Sequence, residues 1–295
     1  MQGFLLLDKP AGMTSFGAVA RIKRLTNEKR VGHTGTLDPM ATGVLPVFIG
    51  KATALSSFLS ESDKRYVATV KLGIKTNTDD ITGEIIKESG VSVSNDDIVS
   101  ALLKFKGKIR QTPPAFSAIK QNGVRLYKLA RQGETVDVPE REVEIFDISL
   151  LSPLDGNNEF SFSATVSKGT YIRARARDIG DLLGCGATLC ALRRTFVSDF
   201  DIKDAVALDL LTPENVGEYI KDEASALLHL KDVAVTKKQA VRFSNGGELS
   251  LDRLDGSDLS DGQIVKVNHG DTFIGLGAVS LDKNALFVKC NINKP

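Results

Sequence analysis

One short segment of the sequence could carry chemistry. Residues 32–43 read GHTGTLDPMATG and place a single carboxylate, Asp38, just before the rigid ring of Pro39. The glycines, threonines and proline predict an irregular loop, and the apolar runs 4–7 and 44–49 predict buried strands before and after it. Loops held between buried strands often display reactive groups. Asp38 is therefore a candidate nucleophile or base at a sugar carbon, and the alternative is an Asp that closes a turn before proline.

Other arrangements of reactive side chains are missing from the sequence. The three histidines and three cysteines do not stand at the spacing of a zinc site, and the cysteines are too few for a disulfide framework. No Gly-x-Ser-x-Gly elbow and no Gly-x-Gly-x-x-Gly loop appears, so a serine hydrolase or a dinucleotide enzyme would lack its motif. We therefore expect reduced thiols, no metal site, and chemistry centred on one carboxylate.

The composition is that of an ordinary soluble globular protein. Of the 295 residues, 42% are hydrophobic and 25% are charged, which excludes disorder, collagen and coiled coil as the main architecture. The longest apolar runs are far shorter than the ~20 residues that span a bilayer, and the first ten residues lack the features of a signal peptide. We expect a chain of two modules that starts at Met1, has no membrane segment and works in the cytoplasm.

Charge is balanced overall but segregated along the chain. The formal net charge is +1, yet residues 101–131 hold eight Lys or Arg and no Asp or Glu, and residues 1–60 and 165–198 are each net +4. Residues 132–164 compensate with a net charge of −7. The three basic segments could converge on one face and neutralise a polyanion there. The alternative is that they form solvated helix faces.

The periodicity of apolar residues predicts a mixture of helices and strands up to about residue 230. Strands are expected at 66–72, 142–150, 160–166 and 189–200, and the second and third of these could pair around the turn at 155–158. Helices are expected at 94–103, 171–183 and 213–230, with a brief helix at 126–130. Ser94, with Asp97 three residues on, resembles a capping box at the start of the first helix, and residues 76–83 are expected to form a polar turn. A further helix, capped by Thr14 or Ser15, would place Phe16, Val19, Ile22 and Leu25 on one face.

The pattern changes after about Lys231. Short alternating segments at 240–243, 263–267, 273–279 and 285–290 are separated by Gly and Asn turns. Alternation at this spacing is typical of a small sheet. We therefore predict an all-β module at the C-terminal end of the chain.

The loop around Asp38 resembles the signature of the bacterial tRNA pseudouridine synthase B (tRNA pseudouridine-55 synthase) family. Six further blocks agree with that family in the same order, and together they are far more specific than one motif. The blocks are LLLDKP at 5–10, DKRY at 63–66, FSAIK at 116–120, KGTYIR at 168–173, GCGA at 184–187 and LRR at 192–194. The resemblance runs from residue 3 to about residue 200.

The resemblance implies a fold and an activity. The fold would be α+β, with a catalytic domain at 1–230 built on an extended, mostly antiparallel sheet and a PUA-like RNA-binding module at 231–295. The domain would carry a basic RNA-binding insertion at about 104–140. The activity would be isomerisation of the T-loop uridine, position 55, of tRNA to pseudouridine, by base flipping and without a cofactor. The partner would be the T-arm of tRNA, and the enzyme would act as a monomer.

The resemblance also implies roles for the residues of an active site. Asp38 corresponds to the essential carboxylate of the family, and Arg173 is expected to pair with it and keep it ionised. Tyr66 would stack on the target uracil, Tyr171 would line the pocket, and Leu192 would cover the base from an apolar side. Whether Asp38 attacks C1′ or removes the 2′ proton stays open.

Four further residues are implied in binding RNA. His33 corresponds to the histidine that fills the space left when the uridine flips out of its loop, which recovers part of the cost of extracting the base. Lys9 would support the active-site loop or contact phosphate. Lys120 and Arg125 lie in the basic insertion, which is expected to close over the T-arm.

Two other functions stay open at this point. A non-catalytic RNA binder or RNA-folding chaperone could use the same scaffold, although the presence of Asp38, Tyr66 and Arg173 argues against lost activity. A metal-free glycosidase is less favoured, because such enzymes usually use two carboxylates and the loop offers one.

Overall fold

The computed structural model describes residues 1–59, 63–117, 138–254 and 258–293, and the backbone of 120–121 and 124–125. The strands, in chain order, are β1 (Gly3–Lys9), β2 (Val31–His33), β3 (Thr42–Ile49), β4 (Lys64–Leu72), β5 (Ile74–Thr76), β6 (Ile85–Glu88), β7 (Gly107–Gln111), β8 (Lys120–Gln121), β9 (Val124–Arg125), β10 (Arg141–Ser152), β11 (Glu159–Val166), β12 (Ala187–Val197), β13 (Phe200–Asp201), β14 (Val206–Ala207), β15 (Lys231–Ala234), β16 (Leu249–Ser250), β17 (Ile264–His269), β18 (Thr272–Ser280) and β19 (Ala285–Asn291). The α-helices are α1 (Ser15–Thr26), α2 (Ser56–Leu59), α3 (Asn95–Leu103), α4 (Ile172–Leu182) and α5 (Lys237–Ser244). Short 3-10 helices lie at Gly50–Leu55, Ile202–Asp204, Leu208–Leu210, Val216–Tyr219, Glu223–Leu227 and Leu251–Arg253.

The central element is one large mixed sheet. Its strand order is β14-β1-β3-β12-β4-β11-β10-β7, with β2 beside β3 and β13 beside β12. The pairs β1–β14 and β3–β12 are parallel, and the other pairs in this sheet are antiparallel. The expected α+β class and the largely antiparallel sheet are therefore confirmed.

One face of the central strands forms the main core. On β4 the alternate residues Tyr66, Ala68, Val70 and Leu72 are buried, as the period-2 pattern predicts. Helices α3 and α4 cover this face, because each presents a stripe of buried apolar residues to the same cluster. The predicted capping box of Ser94 and Asp97 opens α3. The predicted pairing around 155–158 is present between β10 and β11.

Helix α1 begins where the sequence predicts, since Thr14 accepts a hydrogen bond from the Gly17 backbone. The predicted face is wrong at one position, because Phe16 is 75% exposed. Ser15 takes the inward place instead and hydrogen-bonds to the backbone of Leu37. Phe16 lies about 100° further around the helix and so points away from the core.

The helix expected at 213–230 is wrong. The chain there forms two short 3-10 turns with an extended stretch between them. In that stretch Lys221 exchanges two backbone hydrogen bonds with Phe4 of β1, at 2.9 and 2.8 Å. A continuous helix would use those backbone groups internally, so it is incompatible with this edge contact.

The C-terminal segment forms a five-stranded sheet in the order β15-β17-β18-β19-β16. The strand expected at 240–243 is wrong, because these residues lie in α5. A capping box formed by Thr236 and Gln239 opens this helix. The module is therefore a sheet with one helix rather than strands alone.

The C-terminal sheet does not stand apart from the rest of the chain. Phe273, Leu276 and Ile292 belong to the same buried cluster as Phe4 and Phe48 of the central sheet. The domain boundary at residue 230 thus stays a prediction. No helix among the described residues is long and apolar enough to cross a membrane.

Candidate active site

The segment 34–41 is a loop whose backbone is held from several sides. Ser15 donates to the Leu37 carbonyl at 3.0 Å and accepts from the Leu37 amide at 2.9 Å. The Gly12 amide donates to the Pro39 carbonyl at 2.8 Å. These contacts fix the backbone on both sides of Asp38, so the position of its carboxylate is set by the fold.

Lys9 supports this loop from below. Its side chain is fully buried, and its ammonium donates to the carbonyls of Pro10 at 2.7 Å, Met13 at 2.6 Å and Pro39 at 3.4 Å. Burial lowers the pKa of Lys9 to about 8, an effect that Asp38 partly opposes. Of the two roles expected for Lys9, support of the loop agrees with the structure. The assignment of Lys9 to RNA binding stays a prediction; in this structure its ammonium is buried and held by three carbonyls.

Asp38 meets Arg173, as the resemblance implies. The Arg173 Nε donates to Oδ2 of Asp38 at 2.9 Å, and Nη2 lies 3.4 Å from Oδ1. The two partners differ in exposure, since the Asp38 side chain is 37% exposed and the Arg173 side chain is 5% exposed. The buried guanidinium thus holds in place a carboxylate that still faces the cavity.

Arg173 itself is held by groups from two other segments. Its Nη1 donates to the Thr78 carbonyl and its Nη2 to the Phe116 carbonyl, both at 3.0 Å. Its Nη1 also lies 3.6 Å from Oδ2 of Asp80, a carboxylate that is 7% exposed. Every nitrogen of this guanidinium therefore has a partner, which fixes the plane in which Asp38 is paired.

Sequence reasoning missed Asp79 and Asp80, which it treated as part of a polar turn at 76–83. Asp80 accepts hydrogen bonds from the Thr78 hydroxyl and from the backbone and hydroxyl of Thr82. Asp79 adopts a positive φ of 61° and pairs with Arg177 at 2.9 Å. The run TNTDDITG at 76–83, with two acids between threonines, was the available signal.

A cavity of about 320 Å³ opens above Asp38. Its wall includes Tyr66, Tyr171, Arg173 and Leu192, so the structure brings all five expected active-site residues together. Tyr66 and Leu192 are 7% and 8% exposed, and they supply an aromatic and an aliphatic surface on adjacent strands. The aromatic and aliphatic surfaces beside one carboxylate suit a planar, uncharged ring, and Lys64, Arg173 and Arg194 make the rest of the wall basic.

The start of the basic insertion is attached to the N-terminal half of α4. The side chain of Gln111 donates to the Tyr171 carbonyl at 3.1 Å and accepts from its amide at 2.8 Å. One turn along α4 from Arg173, Arg177 donates to the Thr112 carbonyl at 2.9 Å. The chain that leads into the insertion is therefore attached to α4, the helix that carries Arg173, the partner of Asp38.

His33 lies outside the wall of this cavity, at the end of β2 and next to the loop. It is half-buried, and its Nδ1 has no hydrogen-bond partner among the described residues. Burial and the nearby charge of Arg194 lower the pKa of His33. A neutral ring is thus favoured at the entrance to the loop.

Within residues 118–137 of the insertion, the structure describes only the backbone of 120–121 and 124–125. Lys120 and Arg125 pair with each other across the two short strands β8 and β9. Their side chains, and the segment 126–130 that was expected to be briefly helical, lie outside the described residues.

Comparison with known proteins agrees with this geometry. The family model for the TruB family pseudouridylate synthase N-terminal domain matches residues 23–172, and the model for the tRNA pseudouridylate synthase B C-terminal domain matches residues 173–239. Proteins called tRNA pseudouridine synthase B are similar over nearly the full length. One from Geotalea uraniireducens is 43% identical over 95% of this chain and 93% of its own, and one from Trichormus variabilis is 44% identical over 97% of each.

Solved structures resemble the chain as well. A chain in the structure of an H/ACA RNP bound to a substrate RNA containing 2′-deoxyuridine matches with a TM-score of 0.75 at 25% identity, over 99% of this chain and 85% of its own. A chain of a Cbf5-Nop10-Gar1 complex matches with a TM-score of 0.75 at 27% identity, over 98% and 84%. The match of the family models and the identity to full-length relatives show that the chain belongs to the TruB family of pseudouridylate synthases, which are isomerases.

Proposed function

We propose that this enzyme converts the T-loop uridine of tRNA, position 55, to pseudouridine, and that Asp38 is its catalytic carboxylate. The observation that supports the proposal most strongly is the pairing of Asp38 with Arg173 in the cavity. The Asp38 carboxylate, 37% exposed and held by a buried guanidinium, faces a space bounded by Tyr66 and Leu192. The tRNA substrate is inferred from the names of the relatives.

The reaction proposed for this site exchanges one glycosidic bond for another. The bond between C1′ and N1 of the uridine breaks, the uracil turns, and a bond forms between C1′ and C5. The proton leaves C5, and N1 gains a proton, so atoms and electrons balance without net redox change. The cavity supports this sequence, because Tyr66 and Leu192 offer surfaces on which a detached base can turn.

Asp38 has two routes in this reaction. As a nucleophile it would form an ester at C1′, and as a base it would remove the 2′ proton and leave a glycal. A substrate with deuterium at C2′ of the target nucleotide distinguishes the routes. A primary isotope effect on the single-turnover rate supports proton removal, and its absence supports direct attack.

Base flipping is part of this proposal. Phe116 and Ser117 of the insertion help to line the cavity that Asp38 faces, which supports the idea that a uracil leaves its stack to reach the carboxylate. Extracting it costs a few kcal/mol. We propose that His33, beside the catalytic loop, stacks in the place that the uridine leaves.

We further propose that two surfaces bind the rest of the T-arm. The insertion would do so through Lys120 and Arg125. The C-terminal module would act as a PUA-like RNA-binding unit, supported by a cavity of about 460 Å³ that Arg242, Arg253 and Lys283 help to line. In this proposal the enzyme works as a monomer in the cytoplasm.

The decisive experiment incubates the purified chain with unmodified tRNA and no added cofactor, and then maps pseudouridine at each position. Pseudouridine confined to position 55 is the expected result. Pseudouridine at another position would overturn the assigned target, and tight tRNA binding without any pseudouridine would favour the RNA-chaperone alternative.

A further inference from the structure

Tyr171 lies beside the place where the chain leaves the central sheet for the insertion and returns to it. Strand β7 ends at Gln111 and β10 begins at Arg141, and these two residues are direct partners in the register of the antiparallel strands. Side chains of directly opposite residues lie on the same face of a sheet. Gln111 and Arg141 therefore project to one side, and both contact Tyr171 there.

Gln111 fixes the backbone of Tyr171. The Gln111 side chain is buried and hydrogen-bonds to both the amide and the carbonyl of Tyr171, the residue that precedes α4. These two bonds set the course of the main chain at the start of the helix. They do not set the ring, because the side chain still rotates about its own χ angles.

Arg141 supplies a contact to the ring itself. The Arg141 Cζ lies over the Tyr171 ring, 4.8 Å from its centroid, which is within the range of a cation–π interaction. The same guanidinium lies close to Gly169, where an added Cβ would come within 3.2 Å of Nη1. Gly169 also has a positive φ of 80°. The segment 169–171 thus leaves room for the guanidinium beside the ring.

Arg141 and Tyr171 differ in their relation to the cavity. Gly169, Thr170 and Tyr171 line it, whereas Arg141 is not among the described residues of its wall. A base in the cavity would therefore meet the Tyr171 side chain, with the guanidinium behind it. Any influence of Arg141 on a bound base passes through the ring.

We propose that Arg141 is a positioning residue for the reaction, and that it acts by holding the ring of Tyr171 in the cavity wall. The inference rests on the proposed function, in which a detached uracil turns against this wall, and it adds the residue that keeps the wall in place. A ring that changed its rotamer would change the shape of the cavity. Reaction at C1′ requires a base held in few orientations, so a fixed ring favours it.

The first test reads the ring without RNA. The chain contains no tryptophan, so Tyr171→Trp introduces a fluorophore at this one position. An indole accepts a cation over its face at least as well as a phenol does. Fluorescence anisotropy and acrylamide quenching are measured for Tyr171→Trp and for its double variant with Arg141→Gln. We expect Arg141→Gln to lower the anisotropy and to raise the quenching constant about twofold or more.

Arg65→Gln is the matched control. The Arg65 Cζ lies over the ring of Phe196 at 5.4 Å from its centroid, and Phe196 is not among the described residues of the cavity wall. This change removes an arginine–aromatic contact from the same sheet and leaves the wall intact. Combined with Tyr171→Trp, it should leave the anisotropy and the quenching constant unchanged.

The second test measures single-turnover pseudouridine formation at saturating T-arm RNA, and RNA affinity as a function of salt. Arg141→Gln should lower the rate about tenfold, with affinity and salt dependence unchanged, because no phosphate contact is lost. Tyr171→Leu removes the ring, so adding Arg141→Gln to it should cost less than about twofold more. Arg65→Gln should behave as wild type. Thermal unfolding of each variant separates a failure to fold from a lost contact.

Three results would overturn the inference. The first is an anisotropy and a quenching constant that Arg141→Gln leaves unchanged. The second is a full multiplication of the losses of Arg141→Gln and Tyr171→Leu, which would show that the two residues act independently. The third is a loss confined to RNA affinity with a shallower salt dependence, which would make Arg141 a phosphate contact. Because the fluorescence test uses no RNA, it reads the hold on the ring even if the chain does not modify position 55.

Discussion

Asp38 and Asp80 lie on two different loops, and both carboxylates face Arg173. They differ in their exposure and in their hydrogen bonds. Asp38 on the loop at 34–41 is 37% exposed, and Arg173 is its hydrogen-bond partner among the described side chains. Asp80 on the turn at 76–83 is 7% exposed and accepts from Thr78 and Thr82 as well as facing Arg173. Asp80 is not among the described residues that line the cavity, so its carboxylate is not presented to a substrate there. The comparison shows that burial and hydrogen bonding separate the acid that holds the arginine from the acid that is open to the cavity and is proposed to react.

The largest effect is expected at Asp38, the proposed catalytic acid. Asp38→Asn keeps the size of the side chain and removes its charge, so it should lower the single-turnover rate of pseudouridine formation more than about a thousandfold. Stability and tRNA affinity should change little, because the loop is held by backbone contacts. Residual activity within tenfold of wild type would show that another group performs the step.

Asp80→Asn tests the holding acid and should have a smaller effect. We expect the rate to fall about tenfold to a hundredfold, because Arg173 loses a charged partner and orients Asp38 less well. The free energy of unfolding should fall by about 1–3 kcal/mol. Asp147→Asn, which breaks only a surface pair with Lys106, is the control. A loss as large as that of Asp38→Asn would mean that the two carboxylates do not differ in role.

His33 does not belong to the ion pairs that Asp38 and Asp80 form with Arg173. A His33 variant therefore tests whether a change in the RNA substrate can restore a lowered rate. His33→Ala should lower the rate about tenfold on a folded T-arm, through the loss of stacking in the vacated position. On an analogue whose target uridine is already unstacked, the loss should largely disappear, whereas Asp38→Asn stays inactive on both. Equal losses for His33→Ala on both RNAs would remove the flipping role.

The smallest effect on catalysis is expected at Arg177. Arg177→Gln removes the contact to the Thr112 carbonyl, so the approach to the insertion is held less firmly. We expect KM for tRNA to rise about threefold to tenfold, with a smaller change in kcat, because Asp38 and Arg173 are untouched. A change confined to kcat would instead place Arg177 in the network that orients Asp38.

The same variant has a defined pH dependence. Burial raises the pKa of Asp79, and Arg177 is the strongest influence that opposes the rise. Without Arg177 the pKa rises further, so the folded state binds a proton that the unfolded state has released. Stability then falls as pH rises from the unfolded pKa to the folded one. Urea unfolding should show a larger deficit for Arg177→Gln at pH 7 than at pH 5, and a constant deficit would contradict this assignment.

The sequence predicts the proposed catalytic acid better than most of the groups that hold it. Asp38 stands in a loop of unusual composition, and the resemblance gives Arg173 as its partner. Asp80 stands in a run that reads as a polar turn, and only the packing of that turn against α4 reveals its role.

The same distinction applies to the fold. Strands with strict alternation, such as β4 and β11, are predicted well because one face is buried. The strand predicted at 240–243 is wrong because the capping box of Thr236 and Gln239 starts a helix that includes these residues. The helix predicted at 213–230 is wrong because the backbone hydrogen bonds between Lys221 and Phe4, which are far apart in sequence, override the local helical pattern.

The cluster that joins the C-terminal sheet to the central sheet has a consequence for unfolding. Phe273, Leu276 and Ile292 share a buried cluster with Phe4 of β1, the strand that ends at Lys9, whose ammonium contacts the loop that carries Asp38. Removing the C-terminal module would expose aromatic surface on that strand, and a truncated chain would be prone to aggregation. Heating the full chain should therefore give one cooperative transition in which activity and both sheets are lost together, and the module is a poor choice for deletion in protein engineering.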